Sequence, residues 1–281
     1  MPRNKPRTLS QKAIIDICIT TAGRFDVLKT CLDAIYRDAK TIPLNICLVD
    51  NASDAEERIS NSSLFEERDD SRAVGFYTKR LQQNIGFPGA AHEVAKMGSS
   101  PLILFISDDV ELFEGTLQKL IDTMSDNSIG ICGTKNLFPE TSTSSIRPAG
   151  KVQHIGLAMT IKGEIIHPLV GWSKDNPKTC ITRDVFAVTG ACFIIRRDLF
   201  NKAGGFDLIF GKGTYEDVDL NLKVRQLGSR IIINTDALTY HYVGATAEKR
   251  KEPFALQQNY QIFMARYMNS GMLIFDSWSY Y

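Results

Sequence analysis

No run of apolar residues in this 281-residue chain is long enough to cross a bilayer. Met1 is followed by basic and polar residues with no apolar stretch of signal length, so the expectation is a cytoplasmic protein, with the inner face of a membrane left open. Charge of one sign is also missing. Lys and Arg number 33 against 32 Asp and Glu, a formal net charge of +1, which excludes the basic field that holds nucleic acid by phosphate neutralisation. Cysteine is sparse and unpaired in pattern: Cys18, Cys31, Cys47, Cys132, Cys180 and Cys192 form no Cys-x-x-Cys, and several sit in apolar runs, which excludes a zinc ribbon or a disulfide framework. No Gly-x-Gly-x-x-Gly follows the first apolar run, which disfavours a dehydrogenase.

What is present is alternation. After a basic arm over 1–12 that lacks periodicity, Ile14–Thr20 reads as a buried strand, Arg24–Tyr36 as a helix and Leu44–Val49 as a second strand. A strand at Val74–Thr78, a helix at Gly89–Met97, a strand at Leu102–Ile106 and a helix at Glu114–Met124 continue the series. This order predicts an α/β fold with a mainly parallel central sheet flanked by helices. The second half changes character. Val152–Ile161, Val185–Val188 and Cys192–Ile195 read as mixed or antiparallel strands, followed by helices at Arg197–Lys202 and Glu216–Leu227, a strand at Arg230–Asn234 leading to His241, and a helix over Pro253–Met268. The expected organisation is one domain over 13–255, changing character after 133, then a helix and an aromatic tail over 256–281.

Parallel sheets take ligands beyond the carboxyl ends of their strands. There the chain is polar: Thr20-Thr21-Ala22-Gly23-Arg24, then Asp50-Asn51, then Ser107-Asp108-Asp109, while Asn84-Ile85-Gly86-Phe87-Pro88-Gly89 offers glycines for close backbone approach. Asp108 and Asp109 could hold a hard cation or merely cap a turn, and His241, ending a later strand, is either a core histidine or a third ligand. Glu216, Asp217 and Asp219 open a helix after a glycine-rich run. They either stabilise its positive end, with Asp219 paired to Lys223, or supply a general base from a mobile loop. Trp172 and the run Glu248–Lys251 read by themselves as packing and as a solvated charged loop.

Taken in order, Thr20–Arg24, Val49-Asp50-Asn51-Ala52-Ser53, Asn84–Ala90, Ser107–Val110, Thr189-Gly190-Ala191, Gly204-Gly205-Phe206-Asp207, Tyr215–Leu220 and His241 resemble a family 2 glycosyltransferase of the GT-A fold, near the rhamnosyltransferase-like and galactofuranosyltransferase-like branches. The likeness covers about Ile14 to Ala247 and implies one GT-A catalytic domain over 13–255 with a nucleotide-binding half (13–133) and an acceptor-binding half (134–255). It implies an inverting, Mn²⁺- or Mg²⁺-dependent transfer of a sugar from a nucleoside diphosphate, UDP by default with dTDP-rhamnose as competitor, to a glycan, lipid-linked or protein hydroxyl. On this resemblance Thr20, Ala22, Arg24, Asp50, Asn84 and Gly86 line the nucleotide pocket, with Asp50 near the base. The family's Asp-x-Asp falls on Ser107-Asp108-Asp109; its first acid is replaced by Ser107, so Asp109 with His241 takes the metal and Asp108 the ribose or a metal-bound water. Asp217 matches the catalytic base, and Glu216, Trp172 and Gly190 fall to the acceptor side, where Trp172 is either packing or a stacking wall for an acceptor sugar; the run Glu248–Lys251 is either a solvated loop or a lid over the diphosphate, and His154 and His167 are structural or acceptor-side residues. The competing readings are a sugar-nucleotide nucleotidyltransferase, whose longer Lys- or Arg-containing loop after strand one is absent from Thr21-Ala22-Gly23-Arg24, and an inactive nucleotide- or glycan-binding module.

Overall fold

The computed structural model describes residues 12–54, 73–160, 163–242, 255–268 and 270; the basic arm up to residue 11, the run Glu248–Lys251 and the tail Phe275–Tyr281 lie outside them. The chain runs β1 (Ile15–Thr21), α1 (Phe25–Ala39), β2 (Leu44–Asp50), β3 (Ala73–Arg80), α2 (Gly86–Ala95), β4 (Leu102–Ser107), β5 (Val110–Leu112), α3 (Thr116–Thr123) and β6 (Ile129–Leu137). It continues through β7 (Val152–His154), β8 (Ala158–Met159), β9 (Ile165–Ile166), β10 (Arg183–Asp184), β11 (Cys192–Arg196), α4 (Arg197–Lys202), α5 (Glu216–Gln226), β12 (Arg230–His241) and α6 (Leu256–Tyr267). The main sheet has the order β10-β12-β6-β11-β4-β1-β2-β3, with β5 on β12 and β7 on β6; β8 and β9 form a small separate ribbon. Strands β3, β2, β1 and β4 are parallel. Strand β11 enters antiparallel between β4 and β6, which makes the sheet mixed.

The period of two along each strand builds two cores. On one face Ile15, Ile17 and Ile19 of β1 meet Leu28, Leu32 and Ile35 of α1 and Leu117 and Leu120 of α3. On the other, Cys18 and Cys47 lie with Ala90, Ala91 and Val94 of α2 and a group formed by Phe105, Phe193, Phe200 and Phe206. Five of the six cysteines are buried, only Cys180 is exposed, and all are free thiols. A third cluster joins Val218 and Leu222 of α5 to Phe263 and Tyr267 of α6.

Several elements differ from the sequence expectation. Strand β6 was not foreseen, because Gly130, Gly133, Lys135 and Asn136 interrupt its apolar pattern, yet all nine residues are buried. Both glycines are close-approach positions: a Cβ on Gly130 would meet Val224 Cγ1 at 2.6 Å, and one on Gly133 would meet Val188 Cγ1 at 2.6 Å. The Lys135 ammonium is satisfied by the carbonyls of Lys174 (2.8 Å) and Thr179 (3.0 Å), and Asn136 accepts from Thr134 and Thr239. The expected halves therefore meet inside one strand of one sheet. Val152–Ile161 is broken into β7 and β8, and Val185–Val188 forms no named strand. Conversely, the segment from Arg230 to His241 is one strand, with an irregularity between Asn234 and Leu238 that redirects its end onto β5.

At the end of β1 remote from the ligand edge, the fully buried Asp16 accepts from Ser100 N (2.8 Å), Ser100 Oγ (2.6 Å) and Asn45 Nδ2 (2.7 Å), and pairs with Arg197 at 2.5 Å. One carboxylate thus ties together β1, β2, the turn into β4 and the start of α4. Asp16→Ala strands a part-buried guanidinium and three polar groups, and should lower the unfolding free energy by about 3–5 kcal/mol in urea denaturation. A loss below about 1 kcal/mol would show the network to be incidental.

Candidate active site

Parallel register makes the strand ends level. Thr20 stands opposite Ser107 and Thr21 opposite Asp50, so the polar residues after β1, β2 and β4 open on one edge. The antiparallel β11 begins at the same edge: Ser107 N donates to Ala191 O at 2.8 Å, which places Thr189 and Gly190 beside the acidic turn. Arg24, at the amino end of α1, acts electrostatically on both Asp108 and Asp109.

Asp108 and Asp109 occupy the two-residue turn between β4 and β5 and are both buried. Burial and the neighbouring Asp109 charge push Asp108 up to about 7, opposed by a hydrogen bond from Thr21. Its Oδ2 has no protein partner among the described residues. Burial also opposes ionisation of Asp109, but the hydrogen bond and charge of His241 outweigh it and hold its carboxyl below the ordinary value. His241 reaches Asp109 because β12 pairs with β5 in the register His241–Val110, and its Nε2 lies 3.4 Å from Asp109 Oδ1.

Gln153 fixes the tautomer of that histidine. Its amide nitrogen donates to His241 O (2.9 Å), which turns its Oε1 toward His241 Nδ1 at 2.7 Å. Nδ1 therefore carries the hydrogen, and Nε2 directs a lone pair at the Asp109 carboxylate. Two lone-pair donors facing each other across 3.4 Å need a positive charge between them, a proton or a cation. Nitrogen, carboxylate and the orphaned Asp108 oxygen suit a divalent ion of the Mn²⁺ or Mg²⁺ class. Among the described residues no three His, Cys, Asp or Glu side chains converge as a complete metal set, so most of the ion's coordination must come from elsewhere.

On the flank, Asp50 is already engaged. Its Oδ1 accepts from Ser53 N (2.8 Å) and Ser53 Oγ (2.6 Å), and its Oδ2 pairs with Arg80, which also donates to Ser53 O. Asn84 is likewise committed to shaping its loop, accepting from Asn51 Nδ2 (3.0 Å) and Gly86 N (2.9 Å), while Asn51 Oδ1 accepts from Ile85 N. With these amides as local partners α2 starts at Gly86, three residues before the expected Gly89. Gly86 has φ +76°, and a Cβ there would sit 2.0 Å from Gly211 O, so the Asn84–Gly86 loop rests on the loop that leads to α5.

The three acids of α5 have separate surroundings. Asp219 is fully buried and structural: Arg266 Nη1 (2.5 Å), Tyr267 OH (2.8 Å) and Lys223 Nζ (2.7 Å) surround it. Asp217 is half-buried and held by two backbone groups, Gly190 N on Oδ2 and Val218 N on Oδ1, both at 2.8 Å. Desolvation raises its pKa, against those two bonds. Glu216 is buried with an unpartnered Oε2, and desolvation with the adjacent Asp217 charge pushes it to about 8. The turn presenting them is strained: Thr214 (φ 80°) and Tyr215 (φ 68°) both adopt left-handed conformations without being glycine. Asn259 of α6 holds that turn, its Nδ2 lying 2.8–3.1 Å from Gly213 O, Thr214 O, Thr214 Oγ1 and Phe210 O.

Thus Thr20, Arg24, Asp108, Asp109, His241, Gly190 and Asp217 gather around one strand edge, with Asp50, Asn84 and Gly86 on its flank. Ala22 follows Thr21 there and is half-buried. Gly190 serves as the backbone donor to Asp217. Trp172 stands at the surface with Lys178 Nζ 5.9 Å from its ring centre, its backbone joined to Val152 beside Gln153. Sequence reasoning missed Asn51, Arg80, Gln153 and Asn259. Only Asn51, adjacent to Asp50 in a quoted motif, had a local signal.

The sequence description of Glycosyl transferase family 2 matches residues 16–204. O-antigen biosynthesis protein RfbC of Myxococcus xanthus is 28% identical over 240 residues, covering 83% of this chain and 17% of that protein. Uncharacterized protein y4gI of Sinorhizobium fredii is 21% identical over 245 residues, covering 85% and 26%. The chain therefore spans a minor part of the curated relatives it matches. Among solved structures, GalNAc-T7 with UDP, GalNAc and Mn²⁺ superposes with a TM-score of 0.69 at 15% identity, over 90% of this chain and 48% of that one. The mannosyltransferase PcManGT from Pyrobaculum calidifontis, in complex with GDP-Man and Mn²⁺, gives 0.59 at 15% identity, over 94% and 72%. Such identities speak for the fold, which is GT-A.

Glu216 carries a pH signature. Its native pKa of about 8 exceeds the ordinary 4.5, so the native state binds this proton more tightly than the unfolded chain. The resulting stability is fully present below about pH 4.5 and is lost as pH rises toward 8, by up to about 1.4 kcal/mol per pH unit. Glu216→Gln removes that slope, so the variant should gain stability relative to the parent between pH 5 and pH 8. Parallel urea-unfolding profiles across that range would contradict the assignment.

Proposed function

The chain belongs to glycosyl transferase family 2, and on that footing we propose that it catalyses a metal-dependent, inverting transfer of a sugar from a nucleoside diphosphate to a hydroxyl acceptor. The observation that carries this reading is the pairing of two unlike groups on one strand edge: Asp217 held by Gly190 N–H, and the Asp109–His241 couple reached through Ser107 and Ala191.

A sugar hydroxyl is a weak nucleophile and needs a base within hydrogen-bond reach as it attacks the anomeric carbon. Asp217 fits. Its two backbone donors aim the carboxylate and keep it able to ionise, while desolvation leaves it more basic than a free aspartate. Glu216, protonated near neutrality, adds no competing charge beside it and supports the acceptor side, where Trp172 offers an exposed ring. On the leaving side, Asp109 and His241 would hold Mn²⁺ or Mg²⁺, which when bound supplies Lewis-acid stabilisation of the departing diphosphate. Asp108, with its orphaned oxygen, serves the ribose or a metal-bound water. Thr20, Ala22, Arg24, Asn84 and Gly86 shape the nucleotide pocket, and Asp50, braced by Arg80, faces the base.

UDP is favoured as the nucleotide and dTDP-rhamnose is the competitor; a glycan acceptor accords with a relative named for O-antigen biosynthesis. No helix among the described residues is long and apolar enough to cross a membrane. Cytoplasmic work on a glycan, lipid-linked or protein hydroxyl, at or near a membrane face, is the setting this reading favours.

The deciding experiment is nucleotide release from UDP-, dTDP- and GDP-sugars with and without Mn²⁺. No release from any donor, together with no metal-dependent nucleotide binding, would leave only an inactive module. Asp217→Asn should lower kcat by about 10²–10⁴-fold with nucleotide affinity unchanged; normal turnover would remove it as the base. Asp109→Ala should abolish the metal dependence of nucleotide binding. Gln153→Leu, which frees the His241 ring, should weaken Mn²⁺ affinity by about 10–100-fold in calorimetry, and unchanged affinity would show that its hydrogen bond does not tune the ligand.

A further inference from the structure

Two histidines outside this machinery form a chain of hydrogen bonds with a fixed direction. His154, at the end of β7, is fully buried, and its Nε2 lies 3.2 Å from Gly156 N and 3.3 Å from Thr189 N. Both are backbone N–H donors, so Nε2 must present its lone pair and the hydrogen of a neutral ring must sit on Nδ1. Nδ1 lies 3.0 Å from His167 Nδ1, which must then accept, leaving the hydrogen of His167 on its Nε2. The two rings meet nearly edge to face at 5.1 Å. Burial, with His241 adding to it, holds both rings well below the ordinary histidine value, so both stay neutral.

The outer end of this chain is open. His167 follows the β8–β9 ribbon at the protein surface, its ring largely desolvated against His154 while part of the residue is open to solvent, and its Nε2–H has no protein acceptor among the described residues. Its inner end touches the site already described. Thr189, whose N–H bonds His154, precedes Gly190, whose N–H holds Asp217, and His241 is close enough to influence both rings. An orientation-locked N–H one ring away from the Thr189–Gly190 backbone, with His241 near enough to act on both rings, is suited to an oxygen lone pair and unsuited to an ammonium or another donor.

We infer that His167 is a substrate-contacting residue whose Nε2–H donates to a hydroxyl oxygen of a bound sugar, and that His154 is the positioning residue that fixes this tautomer. The inference rests on the transferase reading for its ligand class but not for its geometry. The hydroxyl can belong to the donor sugar or to the acceptor sugar.

The tautomers are read directly by long-range ¹H–¹⁵N correlation of the imidazoles, with Mg²⁺ as a diamagnetic ion. The expected result is His154 in the Nδ1–H form and His167 in the Nε2–H form. Either ring in the opposite tautomer overturns the proposal. UDP, dTDP or GDP alone should leave the His167 Nε2 signal in place. A shift on adding the matching nucleotide sugar assigns the contact to the donor, and a shift only on adding methyl glycosides assigns it to the acceptor; no shift in either arm overturns the proposal. His167→Leu should lower the sugar-dependent kcat/KM by about 3–10-fold with nucleotide affinity unchanged, and His167→Gln, which keeps an N–H near the same place, should recover most of it. Equal losses in both variants would reduce His167 to packing. If no nucleotide sugar is turned over while the two tautomers and the sugar-dependent shift are present, the transfer reading fails and this one stands.

Discussion

One hydrogen bond from a backbone N–H to a carboxylate joins the two halves of the site. Gly190 N–H to Asp217 fastens the acidic end of α5 to the start of β11, and the next link, Ser107 N–H to Ala191 O, fastens β11 to the metal-side turn. Both are short, at 2.8 Å; the Ser107–Ala191 bond is part of the backbone framework of the sheet, and the Gly190 N–H aims the Asp217 carboxylate from it. The proposed base, Asp217, and the proposed cation ligand Asp109 are thus held through the sheet, although they lie more than a hundred residues apart in sequence.

Around that link the protein tolerates strain and isolates charge. Two non-glycine residues adopt left-handed conformations immediately before Glu216, a cost of about 1–3 kcal/mol each that persists only when neighbours over-determine the turn. Asn259 supplies that constraint from α6, and the Asp219 network with Arg266, Tyr267 and Lys223 seats α6 on α5. The helix near the end of the described chain therefore braces the acidic turn that carries the proposed base, without contributing a group to it. A comparable economy appears at His241, where a single glutamine on β7 sets which nitrogen faces Asp109.

The legible part of the molecule was the part written locally. Alternating apolar runs and helix-spaced residues gave the βα order from β1 to α3, and polar clusters after the strands marked where ligands bind. Strand β6 was not legible, since its glycines and Lys135 read as interruptions until Val224, Val188 and the carbonyls of Lys174 and Thr179 are seen around them. Nor were Gln153, Asn259 and the His154–His167 pair, because each acts on a partner 13 to 88 residues away and an amide or imidazole leaves no periodic trace.

The sequence by itself determined the composition of the site: which acids follow which strand, that a histidine ends the last one, and that glycines precede α5. Tertiary structure alone decided their roles. Three carboxylates within four residues became a buried structural anchor, a protonated neighbour and a carboxylate aimed by a backbone donor, the proposed base, because the fold brought Arg266, a desolvated pocket and Gly190 N–H to different ones. Residue type supplies a titratable group, but desolvation and directional hydrogen bonds set what that group does, and both arise from contacts distant in sequence.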